Sequence, residues 1–233
     1  MNAPASPEIT VLCSNGLAGV MAELGPRFEA ESGAKLALRL GTANALSKEI
    51  EGGAPFDLTV LTSTAIDQLT RDGRIVPGTR VDIARSCVGV TVQPGAPQPD
   101  IGTVEAFTRT LLAAKSIVFT SLGASGQHFA SILPRLGIEA EVRRKATIPE
   151  GGLVAERVVS GEIELGTQQV SEILAVPGAN LVGPIPAELQ KYTVFSAGLG
   201  ADARNVDGAK ALLRRLADAS TLALATSKGM EPP

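Results

Sequence analysis

Turns rich in glycine or serine recur along the chain, and each lies between an apolar strand-like run and a helix-like run. They are Ser14-Asn15-Gly16, Gly41-Thr42-Ala43-Asn44, Gly123-Ala124-Ser125-Gly126 and Glu150-Gly151-Gly152. A helix N-terminus presents unpaired backbone N–H groups and a partial positive charge, so several such ends aimed at one point can bind a small anion. A single turn of this kind is more simply a helix cap. Their recurrence at equivalent positions favours an anion-binding site.

Four residues near these turns are candidates for proton transfer: His128 first, and then Cys13, Ser14 and Glu150. His128, the only histidine, follows Gly126 in the predicted first turn of a helix. Because a helix N-terminus disfavours the imidazolium cation, a neutral ring could act as a general base on a ligand C–H beside a carboxylate; a polar surface residue is the alternative. Cys13 would be a thiolate if it faced the helix start, although its apolar run favours a buried thiol. Glu150 is either a capping acid or a second acid/base.

Hydroxyl and amide side chains near the same turns supply possible ligand donors: Ser14, Asn15, Thr42, Asn44, Ser125 and Gln169. Asn44 could equally cap its helix, and Ser125 can cap its helix while donating its hydroxyl to a carboxylate. Gln168 and Gln169 end a predicted strand. Because adjacent strand residues point to opposite faces, at most one of these two amides reaches a ligand.

Composition argues against several other classes of function. The net charge is only −3 and no long basic run occurs, so we predict no nucleic-acid partner. Aromatic residues make up 3%, which argues against recognition by stacking. Cys13 and Cys87 form neither a disulfide framework nor a zinc pattern, and one histidine without a carboxylate cluster predicts no metal site. No phosphate-binding glycine motif follows a strand, so we predict no nucleotide cofactor.

The location of the protein follows from two further features. No apolar run approaches the ~20 residues that a membrane span needs, so no membrane insertion is expected. Residues Met1–Pro7 lack the basic and apolar regions of a secretion signal, which predicts a cytoplasmic protein. Removal of a leader upstream of Met1 would make it periplasmic instead.

Strand-like and helix-like runs alternate along the chain, which predicts an α/β fold with a parallel, doubly wound sheet. The first series has strands at Ile9–Cys13, Lys35–Leu40 and Asp57–Leu61 and helices at Leu17–Glu31, Ala43–Glu51 and Thr64–Arg71. The second series has strands at Ser116–Thr120, Glu141–Lys145 and Glu164–Gln168, separated by helices. Ligands in such sheets bind at the carboxyl ends of the strands, where all these turns lie.

The β-rich runs Ser86–Val92 and Tyr192–Leu199 are the predicted crossings between two lobes. We therefore expect one lobe from residues 1–85 plus 196–233 and a second from residues 86–195, with a ligand cleft between them.

Several stretches resemble the molybdate-binding proteins of ABC transporters. They are Ile9–Leu17, Leu46–Leu58 with its I-E-G-G-A-P-F-D-L segment, and Leu165-Gly166 before the glutamine pair. The resemblance covers about Glu8 to Gly229 and implies the two-lobed type 2 periplasmic-binding-protein fold with two crossover strands.

The ligand set of that family does not carry over. The resemblance implies a serine hydroxyl at Gly16, another at Ala43 and a tyrosine hydroxyl at Gln169, and implies backbone N–H donors at Ser125 and near Gly151. The loss of three hydroxyls with a gain of room fits a larger, planar, carboxylate-bearing ligand better than molybdate. We predict a binding protein for a small carboxylate or related anion, with an ABC permease as partner only if it is exported. The alternative is an isomerase that moves a proton in an unsaturated di- or tricarboxylate, as in the aconitate isomerase-like branch of the resemblance.

Overall fold

The computed structural model describes residues Glu8–Pro233. These residues form two compact units: unit 1 comprises the described residues up to Arg85 together with Val194–Pro233, and unit 2 comprises Ser86–Thr193. In chain order the elements are β1 (Glu8–Ser14), α1 (Ala18–Ser32), β2 (Lys35–Gly41), α2 (Ala43–Glu51), β3 (Leu58–Thr62), α3 (Ser63–Arg71), β4 (Val81–Val92), α4 (Val104–Ala113), β5 (Ile117–Val118), α5 (Ala124–Leu136), α6 (Glu139–Arg144), β6 (Ala146–Thr147), α7 (Val154–Val159), β7 (Leu165–Gln169), α8 (Val170–Leu174), β8 (Asn180–Pro184), β9 (Tyr192–Leu199), α9 (Val206–Ala217) and α10 (Ala219–Ser227). Within Glu8–Pro233 no helix has the length and apolar character that a bilayer span requires.

The sheet of unit 1 has the strand order β2-β1-β3-β9. Strand β1 pairs in parallel with β2 and β3, while β9 pairs antiparallel with β3. Helix α1 packs a face of buried apolar side chains, Val20, Met21, Leu24 and Phe28, into the core that β1 and β9 share. This arrangement brings the carboxyl ends of β1, β2 and β3 to one edge of the sheet.

The sheet of unit 2 has the strand order β4-β7-β5-β6, and β8 pairs with the other side of β4. Strands β5, β6 and β7 are parallel, whereas β4 runs antiparallel to β7. The core is built on Phe107, Phe119 and Phe129, whose rings meet edge to face with centroids 6.5 and 5.0 Å apart. The turns after β5, β6 and β7 therefore lie at the same edge of this sheet.

Two local predictions were wrong. The sheets are mixed rather than wholly parallel, because β4 and β9 enter them directly rather than through the crossover helix that a parallel neighbour needs. The predicted strand over Glu141–Lys145 is helix α6. Its acidic first turn and basic last turn suit the helix dipole, and Arg143 pairs with Glu139 at 2.8 Å one turn away.

Asp57 joins three segments of unit 1 just before β3. Its side chain is 4% exposed. One carboxylate oxygen accepts the N–H of Thr10 in β1 at 2.8 Å. The other accepts the N–H groups of Arg204 and Asn205, at 2.6 and 2.9 Å, in the segment that leads into α9. The aspartate of the I-E-G-G-A-P-F-D-L segment is thus a structural clamp.

Candidate functional site

The first turn follows β1 and is almost completely buried. Ser14 precedes a short 3-10 helix over Asn15–Leu17, and its hydroxyl oxygen accepts the Gly16 N–H at 3.4 Å. The side chain of Asn15 is 7% exposed, and no residue from Glu8 to Pro233 forms a hydrogen bond with its amide. The amide atoms themselves are not fully buried, so the polar end of the side chain is open to water or to a ligand. Asn15 is therefore the strongest candidate donor of unit 1.

Phe195 lies directly behind this turn, and sequence reasoning missed it. A Cβ atom built on Gly16 would lie 2.2 Å from Cζ and 2.5 Å from Cε1 of its ring. Phe195 pairs with Thr62 in the β3–β9 register and belongs to the core cluster that includes Cys13 and Leu17. No sequence signal links positions 16 and 195, since the contact depends on how β9 returns to β3.

The second turn and the end of β3 carry helix-capping threonines. The Thr42 hydroxyl oxygen accepts the Ala45 N–H at 3.2 Å at the start of α2, and Ala43 beside it is buried. Thr62, another residue that sequence reasoning missed, accepts the Ala65 N–H at 3.3 Å at the start of α3. Asn44 and Thr62 line a groove of about 240 Å³ between the two helices. Because Ser14 and Gly41 are register partners in β1 and β2, the first two turns lie side by side.

The third turn starts α5 in unit 2. Ser125 is 2% exposed, and its hydroxyl has no hydrogen-bond partner in the described part of the chain. Gly126 packs so closely on the preceding loop that a Cβ atom there would lie 1.9 Å from the Thr120 carbonyl oxygen. The glycine therefore holds the start of α5 against Thr120 and fixes where Ser125 lies.

His128 is half-buried on the first turns of α5. Its Nε2 lies 2.7 Å from the Leu189 carbonyl oxygen. A carbonyl oxygen only accepts, so Nε2 carries the proton, and a neutral ring keeps its lone pair on Nδ1. The atom available as a base is therefore Nδ1, while Nε2 holds the ring against the segment before β9.

The fourth turn follows β6. Glu150 is exposed, and its carbonyl oxygen accepts the Leu122 N–H of the third turn at 3.2 Å. Gly152 has a φ of 93°, a conformation that favours glycine. The buried Gln168 amide brackets the turn, because it accepts the Val154 N–H and donates to the Gly152 carbonyl, each at 2.8 Å. Gln168 thus faces α7 and positions Gly151 and its neighbours.

Gln169 is buried and its amide already has partners inside unit 2. With the amide nitrogen turned towards β4, it donates to the carbonyls of Ser86 and Cys87 at 3.1 and 3.2 Å, and the amide oxygen accepts from the Thr193 hydroxyl at 2.9 Å. The side chain therefore ties the end of β7 to β4 and β9. That Gln169 contacts a ligand stays a prediction.

Cys13 is fully buried in the core of unit 1. Burial raises the pKa of its thiol to about 12, and the thiol donates to the Ser14 carbonyl. The group is therefore a neutral thiol near pH 7, as the apolar run favours. Among the described residues no group of three or more His, Cys, Asp or Glu side chains could hold a metal ion.

Glu172, in the first turn of α8, is a buried carboxyl group that sequence reasoning missed. Burial raises its pKa from 4.5 to about 7, while hydrogen bonds from the Gln169 N–H and the Gln168 side chain act in the opposite direction. The sequence signal for a buried carboxyl group at this position was weak, because a glutamate three residues after a helix start is ordinarily an exposed capping residue.

We expect Glu172 to make the protein less stable as pH rises from about 4.5 to 7. Between these pH values the folded protein keeps a proton on Glu172 that the unfolded chain releases. The difference between the pKa values of the unfolded and folded states corresponds to about 3 kcal/mol of stability. Urea unfolding of wild type and Glu172→Gln at pH 5 and pH 8 measures this. Between pH 5 and pH 8, wild type should lose about 2 kcal/mol more of its free energy of unfolding than the variant does. An equal pH dependence in both proteins would contradict the assignment.

A family profile and one characterised relative each match most of the chain. The profile of the bacterial extracellular solute-binding proteins matches residues 9–231. The chain is 33% identical over 230 residues to an aconitate isomerase from Pseudomonas sp, covering 96% of this chain and 87% of that protein.

Solved structures show the fold. The periplasmic molybdate-binding protein of Azotobacter vinelandii superposes with a TM-score of 0.82 at 16% identity, covering 97% of this chain and 99% of that one. The sulfate-binding protein SubI from Mycobacterium tuberculosis H37Rv superposes with a TM-score of 0.74 at 17% identity, covering 97% and 87%. These matches confirm the predicted two-lobed α/β fold of the periplasmic binding proteins.

Proposed function

This chain belongs to the bacterial extracellular solute-binding protein family, and on that premise we propose that it binds a small carboxylate anion. The observation that carries the proposal is a pair of residues in the predicted ligand turns that are almost buried, make no side-chain hydrogen bond among the described residues, and keep their polar atoms open to a ligand. Asn15 in unit 1 and Ser125 in unit 2 each follow the carboxyl end of a strand, where α/β proteins bind their ligands. That one ligand receives donors from both units stays a prediction.

The chemistry of these turns supports a carboxylate over a tetrahedral oxyanion. Gly16, Ala43 and Gln169 offer no hydroxyl at the positions where the molybdate-binding resemblance implies one. Hydrogen bonds to a charged group contribute about 1.5–3 kcal/mol each, so a few donors suffice for micromolar binding at about −8 kcal/mol.

Isothermal titration with a panel of mono-, di- and tricarboxylates, molybdate and sulfate tests this proposal. We expect micromolar affinity for at least one polycarboxylate and an affinity for molybdate at least tenfold weaker. Preference for molybdate or sulfate would overturn it. Cell fractionation then assigns the partner, because a periplasmic protein would deliver its ligand to an ABC permease and a cytoplasmic one would not.

A second candidate function is isomerisation of an unsaturated di- or tricarboxylate. The 33% identity to an aconitate isomerase over nearly the whole chain favours it. In this reaction a base removes a proton from a carbon beside the double bond, the double bond shifts by one position, and the proton returns to the far carbon. Backbone N–H groups at the turns would hold the carboxylates and stabilise the developing negative charge.

We expect His128→Gln to lower proton exchange of trans-aconitate in deuterated water at least 100-fold while changing its affinity less than threefold. The glutamine can still donate to the Leu189 carbonyl but has no basic Nδ1, and general-base catalysis contributes about 10²–10⁴-fold. Proton NMR follows both deuterium incorporation and new isomers. Arg135→Ala is the control for a change elsewhere on the same helix, since Arg135 is exposed at the other end of α5. If His128→Gln exchanged protons at the wild-type rate, His128 would be eliminated as the base. If the wild-type protein bound trans-aconitate without any exchange, isomerisation would be eliminated and only the binding function would remain.

A further inference from the structure

A cavity of about 200 Å³ lies in unit 1 beside the amino end of β3. The I-E-G-G-A-P-F-D-L segment, which leads from α2 into β3, forms one wall, and the loop after β9 forms another. The residues that matter for its chemistry are Gly53, Pro55, Phe56, Arg74, Asp202 and Arg204. Because the predicted ligand turns of this unit lie at the carboxyl ends of its strands, the cavity is at the opposite edge of the sheet.

Two arginines line this cavity, and no described carboxylate forms an ion pair with either of them. Arg74 donates one hydrogen bond, to the Glu51 carbonyl oxygen at 3.3 Å, and the guanidinium of Arg204 forms none within the described part of the chain. Arg80 of the same unit shows the opposite arrangement, since its guanidinium pairs with two carboxylates, each at 2.8 Å. A guanidinium has several N–H donors, so Arg74 and Arg204 keep most of theirs for a ligand.

Backbone hydrogen bonds hold the two arginine-bearing segments together. The Arg74 carbonyl oxygen accepts the Ala201 N–H at 3.0 Å. The Asp57 carbonyl oxygen accepts the Gly200 N–H at 2.9 Å, and the Asp57 carboxylate accepts the Arg204 N–H at 2.6 Å. The two arginines come from positions far apart in the sequence, yet their backbones are fixed at one cavity before any ligand arrives.

The chemistry of the cavity suits a small dianion. Guanidinium groups bind phosphate oxygens through paired N–H donors, and two of them balance the charge of one phosphate dianion. A volume of 200 Å³ is that of roughly six or seven waters, which accommodates a phosphate with a short attached group and excludes a nucleotide. Asp202 contributes an opposing negative charge to the lining, whereas the nearby Asp57 carboxylate is occupied by backbone N–H donors.

We propose that unit 1 holds a phosphate site, in which Arg74 and Arg204 together bind the dianionic phosphate group of a small molecule. The site is separate from the predicted carboxylate site, goes beyond the proposed function and does not depend on it. Asp202 limits its affinity, because its carboxylate repels the bound anion.

Isothermal titration with inorganic phosphate, at an ionic strength held constant with sodium chloride, tests the proposal. We expect wild type to bind phosphate with a dissociation constant below about 1 mM. Arg74→Gln and Arg204→Gln should each weaken binding at least tenfold, because each removes one of the two cations. Asp202→Asn should tighten binding at least twofold, because it removes the opposing charge.

Arg71→Gln is the matched control. Arg71 is exposed at the end of α3, but its guanidinium donates to the Gln68 side chain at 2.6 Å and does not line the cavity. The affinity of this variant for phosphate should stay within twofold of wild type. Arg74, Asp202 and Arg204 are also exposed, so thermal melting should show every variant folded.

Other results would overturn the proposal. If both arginine variants bound phosphate as tightly as wild type, or if wild type bound none, the cavity would not be a phosphate site. The polycarboxylate affinity of the arginine variants should match that of wild type; an equal loss for phosphate and carboxylate would contradict two separate sites. If wild type bound phosphate but no polycarboxylate, the proposed carboxylate function would fail while the phosphate site would stand.

Discussion

The Asp57→Ala variant is expected to lose about 4 kcal/mol of its free energy of unfolding. The substitution leaves the N–H groups of Thr10, Arg204 and Asn205 without their acceptor. Hydrogen bonds to a charged group contribute about 1.5–3 kcal/mol each, and the partly buried donors left unpaired keep some access to water, which reduces their cost. Because native domains are stable by only about 5–15 kcal/mol, this single change removes a large share of the free energy of unfolding.

Urea unfolding followed by circular dichroism measures the loss. Asp72→Ala is the matched control, since Asp72 is exposed and accepts only from the Gln68 side chain. The control should change the free energy of unfolding by less than about 0.5 kcal/mol. If the two variants were equally stable, Asp57 would not be a clamp between β1, β3 and the approach to α9.

The second large effect is expected for Gly126→Ala, which should cost about 3 kcal/mol and weaken ligand binding at least tenfold. The new methyl group would overlap the Thr120 carbonyl oxygen at 1.9 Å, so α5 must move away from the loop before it. That movement displaces Ser125, the buried donor that follows Gly123 and Ala124. The cost in stability and the loss of affinity thus have one cause.

Gly25→Ala is the matched control for this substitution. Gly25 lies inside α1, where a new Cβ would meet only Leu36 Cδ1 at an ordinary 3.6 Å. Alanine in a helix interior is more favourable than glycine by about 0.5–1 kcal/mol, but Pro26 follows directly and disfavours a Cβ on the helical residue before it, so this variant should stay within about 1 kcal/mol of wild type with unchanged affinity. Thermal melting and titration calorimetry on both variants make the comparison. Gly126→Ala with wild-type stability would show that the loop yields without moving α5.

The sequence predicted the fold well because strand, turn and helix follow one another with clear periodicity. The apolar run at the end of β1, followed by Ser14 and then by the buried face of α1, needed no tertiary information. The recurrence of the same order in the second half predicted the second series of strands, and the solved structures confirm the resulting fold. The strand prediction in the region of α6 was wrong because Val142 is the only buried residue of that helix, so no apolar periodicity marked it as a helix.

The candidate site was predictable only in part, because local sequence places a turn but does not reveal its partners. Asn15 and Ser125 could be proposed from their positions after strands. Phe195 could not, since its ring reaches Gly16 through the β3–β9 pairing. Gln169 was proposed as a ligand residue, yet the strands that meet its amide come from distant parts of the chain.

The way the chain divides also sets an order for folding during protein synthesis. Unit 2 is one continuous stretch, Ser86–Thr193, so all of its strands are present once that stretch has left the ribosome. Unit 1 must wait, because β3 has no antiparallel neighbour until β9 has been made, and the Asp57 clamp lacks Arg204 and Asn205. The first half of unit 1 therefore emerges with an unpaired strand edge, the feature that exposes a nascent chain to aggregation until β9 has been made.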